Sequence, residues 1–218
     1  MHAGLIPANL ASSSAEINLK AVKEAILSGF QRTDASFLAQ AKSNGWQDGA
    51  AAAALWIIGE RVVVANVGDV KAVLARTQGE AVKAVTVTKD HKAIYPTERA
   101  RIERAGGHIQ SGRIAGRLEV SRSFGDMAFK SQGASSVPNV TSFELSSRDE
   151  FVLLACDGFW GLWSPDDAVA ATMGLLHEGM EPKAITNRLL NITVRERRCK
   201  DNCTVMLLHF VRDSVGTL

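Results

Sequence analysis

At 218 residues the chain suits one domain or a tight pair and can bury about 70% of its unfolded surface, so a full core is available. Hydrophobic residues at 46% and charged ones at 22% exclude a disordered, collagenous or coiled-coil chain, and a net charge of +2 recommends no particular partner. Three cysteines, Cys156, Cys199 and Cys203, are too few and odd in number for a secreted disulfide framework, which points to a reducing compartment.

In chain order, "SSSAEINLKAVKEAILSGFQRTDASFLAQAK" predicts one long or broken helix, with Ser14 as N-cap and Ile17, Ala21, Ala25, Phe30, Phe37 and Leu38 at helical spacing. Past "SNGWQDG" the pattern turns to β: Ala51–Ile58, a Gly59-Glu60 turn, Arg61–Val67, a Gly68-Asp69 break, Lys71–Arg76, a Gln78-Gly79 turn and "AVKAVTVT". Short Val- and Ile-rich runs joined by two-residue turns predict an antiparallel meander. "YPTERARIERAGG" predicts a short helix opened by Pro96, with Ile102 and Ala105 on one side and a double-glycine stop. Strand-like pieces follow in "HIQ", "RIAG" and "RLEV", then an irregular Ser- and Gly-rich stretch over 121–142.

"DEFVLLAC" reads as a buried strand, and "SPDDAVAATMGLL" as a helix with Ser164 as N-cap, Pro165 at the first helical position and two acids in the positive first turn. "EPKAITNRLLNITVRER" reads as an amphipathic helix and "CTVMLLHFV" as a last buried strand. Strands in blocks and helices in blocks give an α+β domain, two stacked antiparallel sheets covered by helices, with no repeat or linker.

Cys199 and Cys203 stand four apart, but no nearby cysteine or histidine completes a zinc quartet, and Cys156 lies in an apolar strand where a thiol packs. All three read as structural thiols. The densest basic group, "RERRCK" at 195–200, reads as a solvated helix face rather than a nucleic-acid footprint. No stretch has the ~18 apolar residues of a membrane span, and "MHAGLIPANLASSS" has neither a basic nor an apolar leader region. The expectation is a soluble, monomeric, intracellular protein of the cytoplasm or nucleus.

Three aspartates share one context at the edges of strongly apolar strands: Asp69 after "VVVANVG", Asp157 after "FVLLAC" and Asp201 before "NCTVMLLHF". Side by side, three carboxylates would repel one another unless a cation sat among them, and an oxygen-only set suits Mg²⁺ or Mn²⁺ rather than zinc. On the residues alone they read equally as ligands and as strand-end turn residues.

Read in order, "VVVANVGDVKAVLAR", "TKDHKAIYPTERARIERAGGHI", "GRLEVSRSFGDMAFK", "VPNV", "DEFVLLACDGFW" and "DNCTVMLLHF" resemble the successive motifs of the metal-dependent protein phosphatases of the 2C type. The resemblance covers roughly residues 15 to 210. It implies removal of phosphate from serine and threonine, a sandwich of two antiparallel sheets flanked by helices, and a two-metal centre whose bridging water attacks phosphorus directly. It implies Mg²⁺ or Mn²⁺ as cofactor and a phosphoprotein substrate or a kinase as partner. Asp157 matches the metal-binding Asp of the family's Asp-Gly-x-Trp motif and Asp201 that of Asp-Asn-x-Thr. Asp69 matches the Asp of Gly-Asp-Ser-Arg, which helps hold a weaker third metal. Arg122 and Asp126, in "SRSFGD", match a motif read as mainly structural.

The same resemblance exposes departures. No Asp-Gly-His occurs in the sequence, although the family opens on a strand with an acidic ligand and a phosphate-binding arginine, followed by Asp-Gly-His-Gly-Gly. The five histidines, His2, His91, His108, His177 and His209, lie in other contexts. The family's Gly-Ser-Thr-Ala is "GAAAA" at 49–53, Gly-Asp-Ser-Arg is "GDVK" at 68–71, and the second Asp of Asp-Gly-x-Trp-Asp is Gly161. The expectation is therefore a single domain over residues 1–218, short of the family's N-terminal strands. It is a phosphatase by descent whose hydrolysis is impaired or lost, the rival being an inactive pseudophosphatase that binds phosphoproteins or kinases.

Overall fold

The computed structural model describes residues 18–211. Its elements run α1 (Leu19–Asn44), β1 (Gly49–Ala50), β2 (Ala52–Ile58), β3 (Arg61–Val67), β4 (Lys71–Gln78), β5 (Ala81–Thr86), α2 (Pro96–Arg104), β6 (Ile109–Gln110), β7 (Arg113–Ile114), β8 (Phe124–Gly125), α3 (Met127–Lys130), β9 (Asn139–Glu144), β10 (Asp149–Ala155), α4 (Asp157–Trp160), α5 (Pro165–His177), α6 (Pro182–Asn191) and β11 (Val205–His209). They form two compact units. One comprises the described residues through Asp69 with Lys89–Phe143, the other Val70–Thr88 with the described residues from Glu144 on. The α+β class holds, and no helix among the described residues is long and apolar enough to cross a membrane.

In the first unit α1 is a single unbroken helix. Asn18 caps it, its Oδ1 accepting from the Ala21 N–H at 3.1 Å, and left-handed Gly45 ends it. The expected cap Ser14 and Ile17 fall outside the described residues. The buried stripe is Val22, Ile26 and Phe30 rather than one through Ala21 and Ala25, and Ala25 is exposed. That stripe packs on Val63, Ala65 and Val67, alternate residues of β3, in the sheet ordered β2-β3-β9.

Beside it, a buried carboxylate organises the irregular segments. Glu98 is 2% exposed and accepts from Arg122 (2.6 and 3.0 Å), Arg101 (2.9 and 3.1 Å) and the Ser121 hydroxyl (2.7 Å). Arg101 and Arg122 also donate to the carbonyls of Gly133 and Val137, so one acid ties α2 to the chain over 121–137. Burial opposes its charge, but these donors win and hold the Glu98 carboxyl down at about 2. His91 lies fully buried nearby, neither ring nitrogen hydrogen-bonded among the described residues, and burial together with the Arg122 charge lowers its pKa to about 4.

The second unit has the sheet β11-β10-β4-β5, with β10 antiparallel to both neighbours. One face carries Val73, Ala75, Phe151, Leu153 and Ala155 and packs on Phe159, Trp163, Ala168, Val169, Ile185 and Leu189 from the helical segments. α5 begins as expected, the Ser164 hydroxyl accepting from the Asp167 N–H at 3.1 Å with Pro165 inside the first turn. α6 runs on into a π-helical turn over Ile192–Glu196.

Two expectations change. The meander is two hairpins, β2–β3 and β4–β5: β3 finds β9 as its other neighbour and β4 finds β10, so the break at Gly68-Asp69 divides strands between sheets. The stretch 121–142 is not irregular throughout, since it contains β8 and α3 and the start of β9.

Removing one partner of a buried charge cluster strands the others, so Glu98→Ala is expected to cost about 3–5 kcal/mol in urea unfolding. With a folded pKa of about 4 against 6.5, His91 contributes stability present above pH 6.5 and lost as pH falls towards 4, roughly 3 kcal/mol in full. Glu98 adds a second loss between pH 4.5 and 2. Unfolding free energies measured against pH should slope in both windows, and His91→Leu should flatten the upper one only.

Candidate functional site

The site begins where β10 ends. Ala155 pairs with Val205 in antiparallel register, and the ladder continues one step as Cys156 N–H donates to the Thr204 carbonyl at 3.2 Å. In an antiparallel pair the exit of one strand adjoins the entrance of the other, so Asp157 after β10 and Asp201 before β11 emerge from the same end. Gly158 then permits the approach. A Cβ there would lie 2.2 Å from the Asn202 carbonyl oxygen and 3.4 Å from Asp201 Cβ, too close for any other residue.

The aromatic residues after Asp157 bury the turn. Phe159 and Trp163 stack with ring centroids 5.5 Å apart, and the Arg197 guanidinium sits 3.7 Å above the Trp163 ring while donating to the Leu162 carbonyl. The Trp163 N–H donates to Thr193 Oγ1 at 2.8 Å, inside the π-helical turn, and the Trp160 N–H donates to the Lys71 and Ala155 carbonyls at the strand ends.

Two of the thiols hold backbone, while Cys203 packs against the apolar core. Cys156, past the strand rather than inside it, donates to the Asn202 carbonyl and accepts from the Thr204 N–H, and Cys199 donates to the Gly158 carbonyl at 3.1 Å. All three are free; burial, with Cys156, Cys199 and Asp201 close by, pushes the Cys203 thiol up to about 11, so it stays protonated at neutral pH.

These pieces border a shallow, open pocket of about 530 Å³ lined by Asp157 and Asp201, by Gly158, Gly161 and Leu162, and by the turn Arg198–Lys200. Oδ1 of Asp157 accepts from the Gly158 N–H at 2.9 Å and Oδ1 of Asp201 from the Asn202 N–H at 2.7 Å, which leaves each second oxygen without a partner among the described residues. Two oxygen donors with unoccupied lone pairs fit a hydrated Mg²⁺ or Mn²⁺, ions commonly held by one or two carboxylates and several waters. Among the described residues no group of three or more His, Cys, Asp or Glu side chains assembles to hold a metal.

Asp69 lies in the first unit and is not one of the pocket's lining residues. Gly68 before it is left-handed (φ 82°) against Ala51, and the Asp69 carboxylate lies 3.3 Å from the Lys92 ammonium. Lys92 is held protonated above its ordinary range, chiefly by its hydrogen bond to Glu119, with Asp69 adding to the effect. Arg122 belongs to the Glu98 cluster. Asp126 is left-handed, and its carboxylate occupies the space a side chain at Gly49 would need. Sequence reasoning missed Lys92 as partner of Asp69; it read Arg198 and Lys200 as solvated surface, and both are exposed, though they also line the pocket beside Asp201.

The protein phosphatase 2C family profile matches residues 3–203. The chain is 48% identical over 208 residues to "Probable protein phosphatase 2C 8" of Arabidopsis thaliana, covering 90% of this chain and 59% of that protein. It is 38% identical over 205 residues to the integrin-linked kinase-associated serine/threonine phosphatase 2C of Homo sapiens, covering 87% of this chain and 52% of that one. It thus spans between half and three fifths of these relatives' length. The backbone is similar to that of serine-threonine phosphatase 2C from Toxoplasma gondii, with a TM-score of 0.78 and 21% identity over 88% of this chain and 68% of the other, a likeness of fold.

Because Gly158 touches the Asn202 backbone, Gly158→Ala must push the two loops apart. Thermal unfolding is expected to show a loss of about 1–3 kcal/mol, the usual cost of overpacking, with Gly161→Ala milder because its Cβ would meet only the Asp157 carbonyl, at 3.0 Å.

Proposed function

The chain belongs to the protein phosphatase 2C family, and on that premise we propose that it is a serine/threonine protein phosphatase by descent whose hydrolysis of phosphoserine and phosphothreonine is impaired or lost. In this reading Asp157 and Asp201 are surviving ligands for Mg²⁺ or Mn²⁺ and Asp69 is a peripheral one. The observation that carries it is the pairing of Asp157 and Asp201 in one pocket, each with a carboxylate oxygen left over. A bound ion of this kind supplies charge neutralisation and polarisation at a phosphoryl group. The chain's own part is to hold that ion at the end of a rigid strand pair and to leave the pocket open to a phosphorylated side chain.

The departures support impairment. Position 161 brings a glycine to the pocket wall where the family pattern has an aspartate, and Asp69 already has the Lys92 ammonium as its counter-charge. The second reading, a pseudophosphatase that binds phosphoproteins or kinases, draws on the same glycine. It also draws on the name of the human relative, an integrin-linked kinase-associated phosphatase.

The test is calorimetric titration of the purified chain with Mn²⁺ alongside phosphate release from a phosphothreonine peptide. One weak site is expected, lost in Asp157→Asn and Asp201→Asn, less affected in Asp69→Asn and tightened in Gly161→Asp, with phosphate release near background. Mn²⁺ binding indifferent to both Asp157→Asn and Asp201→Asn would sink the ligand assignment. Robust Mn²⁺-dependent turnover that disappears in Asp157→Asn would show hydrolysis intact.

A further inference from the structure

The pocket holds opposite charges that do not neutralise each other by contact. Asp157 and Asp201 bring two negative charges, Arg198 and Lys200 two positive ones, yet among the described residues neither cation makes a hydrogen bond or ion pair. Of the basic residues around them, Arg197 is stacked on Trp163 and Arg188 faces Glu196 at 3.6 Å, whereas Arg195 is exposed like Arg198 and Lys200. Both are exposed, and what sets them apart is their place on the wall of a pocket that also holds Asp157 and Asp201.

The backbone makes the same point. Arg198 has φ 57°, the left-handed region in which a bulky residue is strained and a glycine is not. The turn is pinned on both sides, by the Arg197 N–H to the Ile192 carbonyl at 2.8 Å, by the Cys199 N–H to the Thr193 carbonyl at 3.0 Å and by the Cys199 thiol to the Gly158 carbonyl. The result is a fixed rim that displays two cations beside Asp201. Strain kept at a pocket wall, where glycine would relieve it, points to a use for the side chain.

We propose that Arg198 and Lys200 are a specificity-determining pair that takes an acidic side chain of the bound peptide next to its phosphoserine or phosphothreonine, a proposal that rests on the phosphoprotein-binding reading above. The division of labour follows from charge. A phosphoryl group meets the cation that Asp157 and Asp201 would hold, and the arginine and lysine at the rim remain for the next anion along the peptide. Arg198 offers a planar fork suited to a carboxylate, Lys200 a mobile point charge.

The test uses fluorescence anisotropy with Mn²⁺ present and three labelled peptides of one length: phosphothreonine with acidic flanks, phosphothreonine with neutral flanks, and unphosphorylated threonine with acidic flanks. The chain is expected to bind the first roughly tenfold tighter than the second, the worth of one or two charge-assisted hydrogen bonds. Arg198→Gly and Lys200→Ala should each shrink that preference and the double variant abolish it, while Arg198→Gly keeps or raises the melting temperature because strain is released. Equal affinity for acidic and neutral flanks, no binding of either phosphopeptide, or a preference that survives in the double variant overturns the proposal. Failure of the underlying reading looks different. Acidic peptides would then bind equally with and without phosphate, indifferent to Asp157→Asn, while the flank preference still falls with Arg198 and Lys200.

Discussion

Everything at the pocket depends on the antiparallel pairing of β10 with β11. Two aspartates 44 positions apart in the chain have no reason to meet in an unfolded polymer. The register that sets Ala155 opposite Val205 makes their meeting unavoidable, because the strand that delivers Asp157 and the strand that receives Asp201 share an end. Carboxylates so placed are held by a sheet whose core face is filled by Phe151, Leu153 and Ala155 packed on helices. The acids themselves are exposed, so the position is maintained by buried apolar residues and not by the charges it presents.

The loops that follow β10 and precede β11 are built by different contacts. Their floor is aromatic, with Phe159 and Trp163 stacked and a guanidinium laid on the outer ring, and their walls are tied by thiols that donate to carbonyls at Gly158 and Asn202. A carbonyl left unpaired there would carry a desolvation cost, and a thiol is the donor to each of these two. The first unit uses another device, one buried glutamate gathering two arginines and a serine, to order a segment poor in regular structure.

What could be read from the residues follows a physical line. Strands β2 to β5 and β10, the three Pro-led helices α2, α5 and α6 and the Ser164 cap were legible because alternation, proline and capping are local effects written within a few residues. Partner choice was not. Nothing in "VVVANVGDVKAVLAR" says that the strands on either side of Gly68 join different sheets, since pairing is decided by packing far along the chain. The place of Asp157 and Asp201 at the ends of apolar strands was legible, whereas the Asp69–Lys92 ion pair joins residues 23 apart that no pattern links. Arg198 was hidden more thoroughly. A left-handed arginine carries no sequence signature, because the signal for that conformation is glycine or asparagine.

The contact of Gly158 with Asn202 has a consequence for how such chains are judged. Gly158 answers to packing and Asp157 to charge, so the two residues of one Asp-Gly pair are kept by separate pressures. A descendant that had abandoned chemistry altogether would still need the glycine for its strands to close. The glycine thus speaks of architecture, and only the neighbouring acids speak of chemistry.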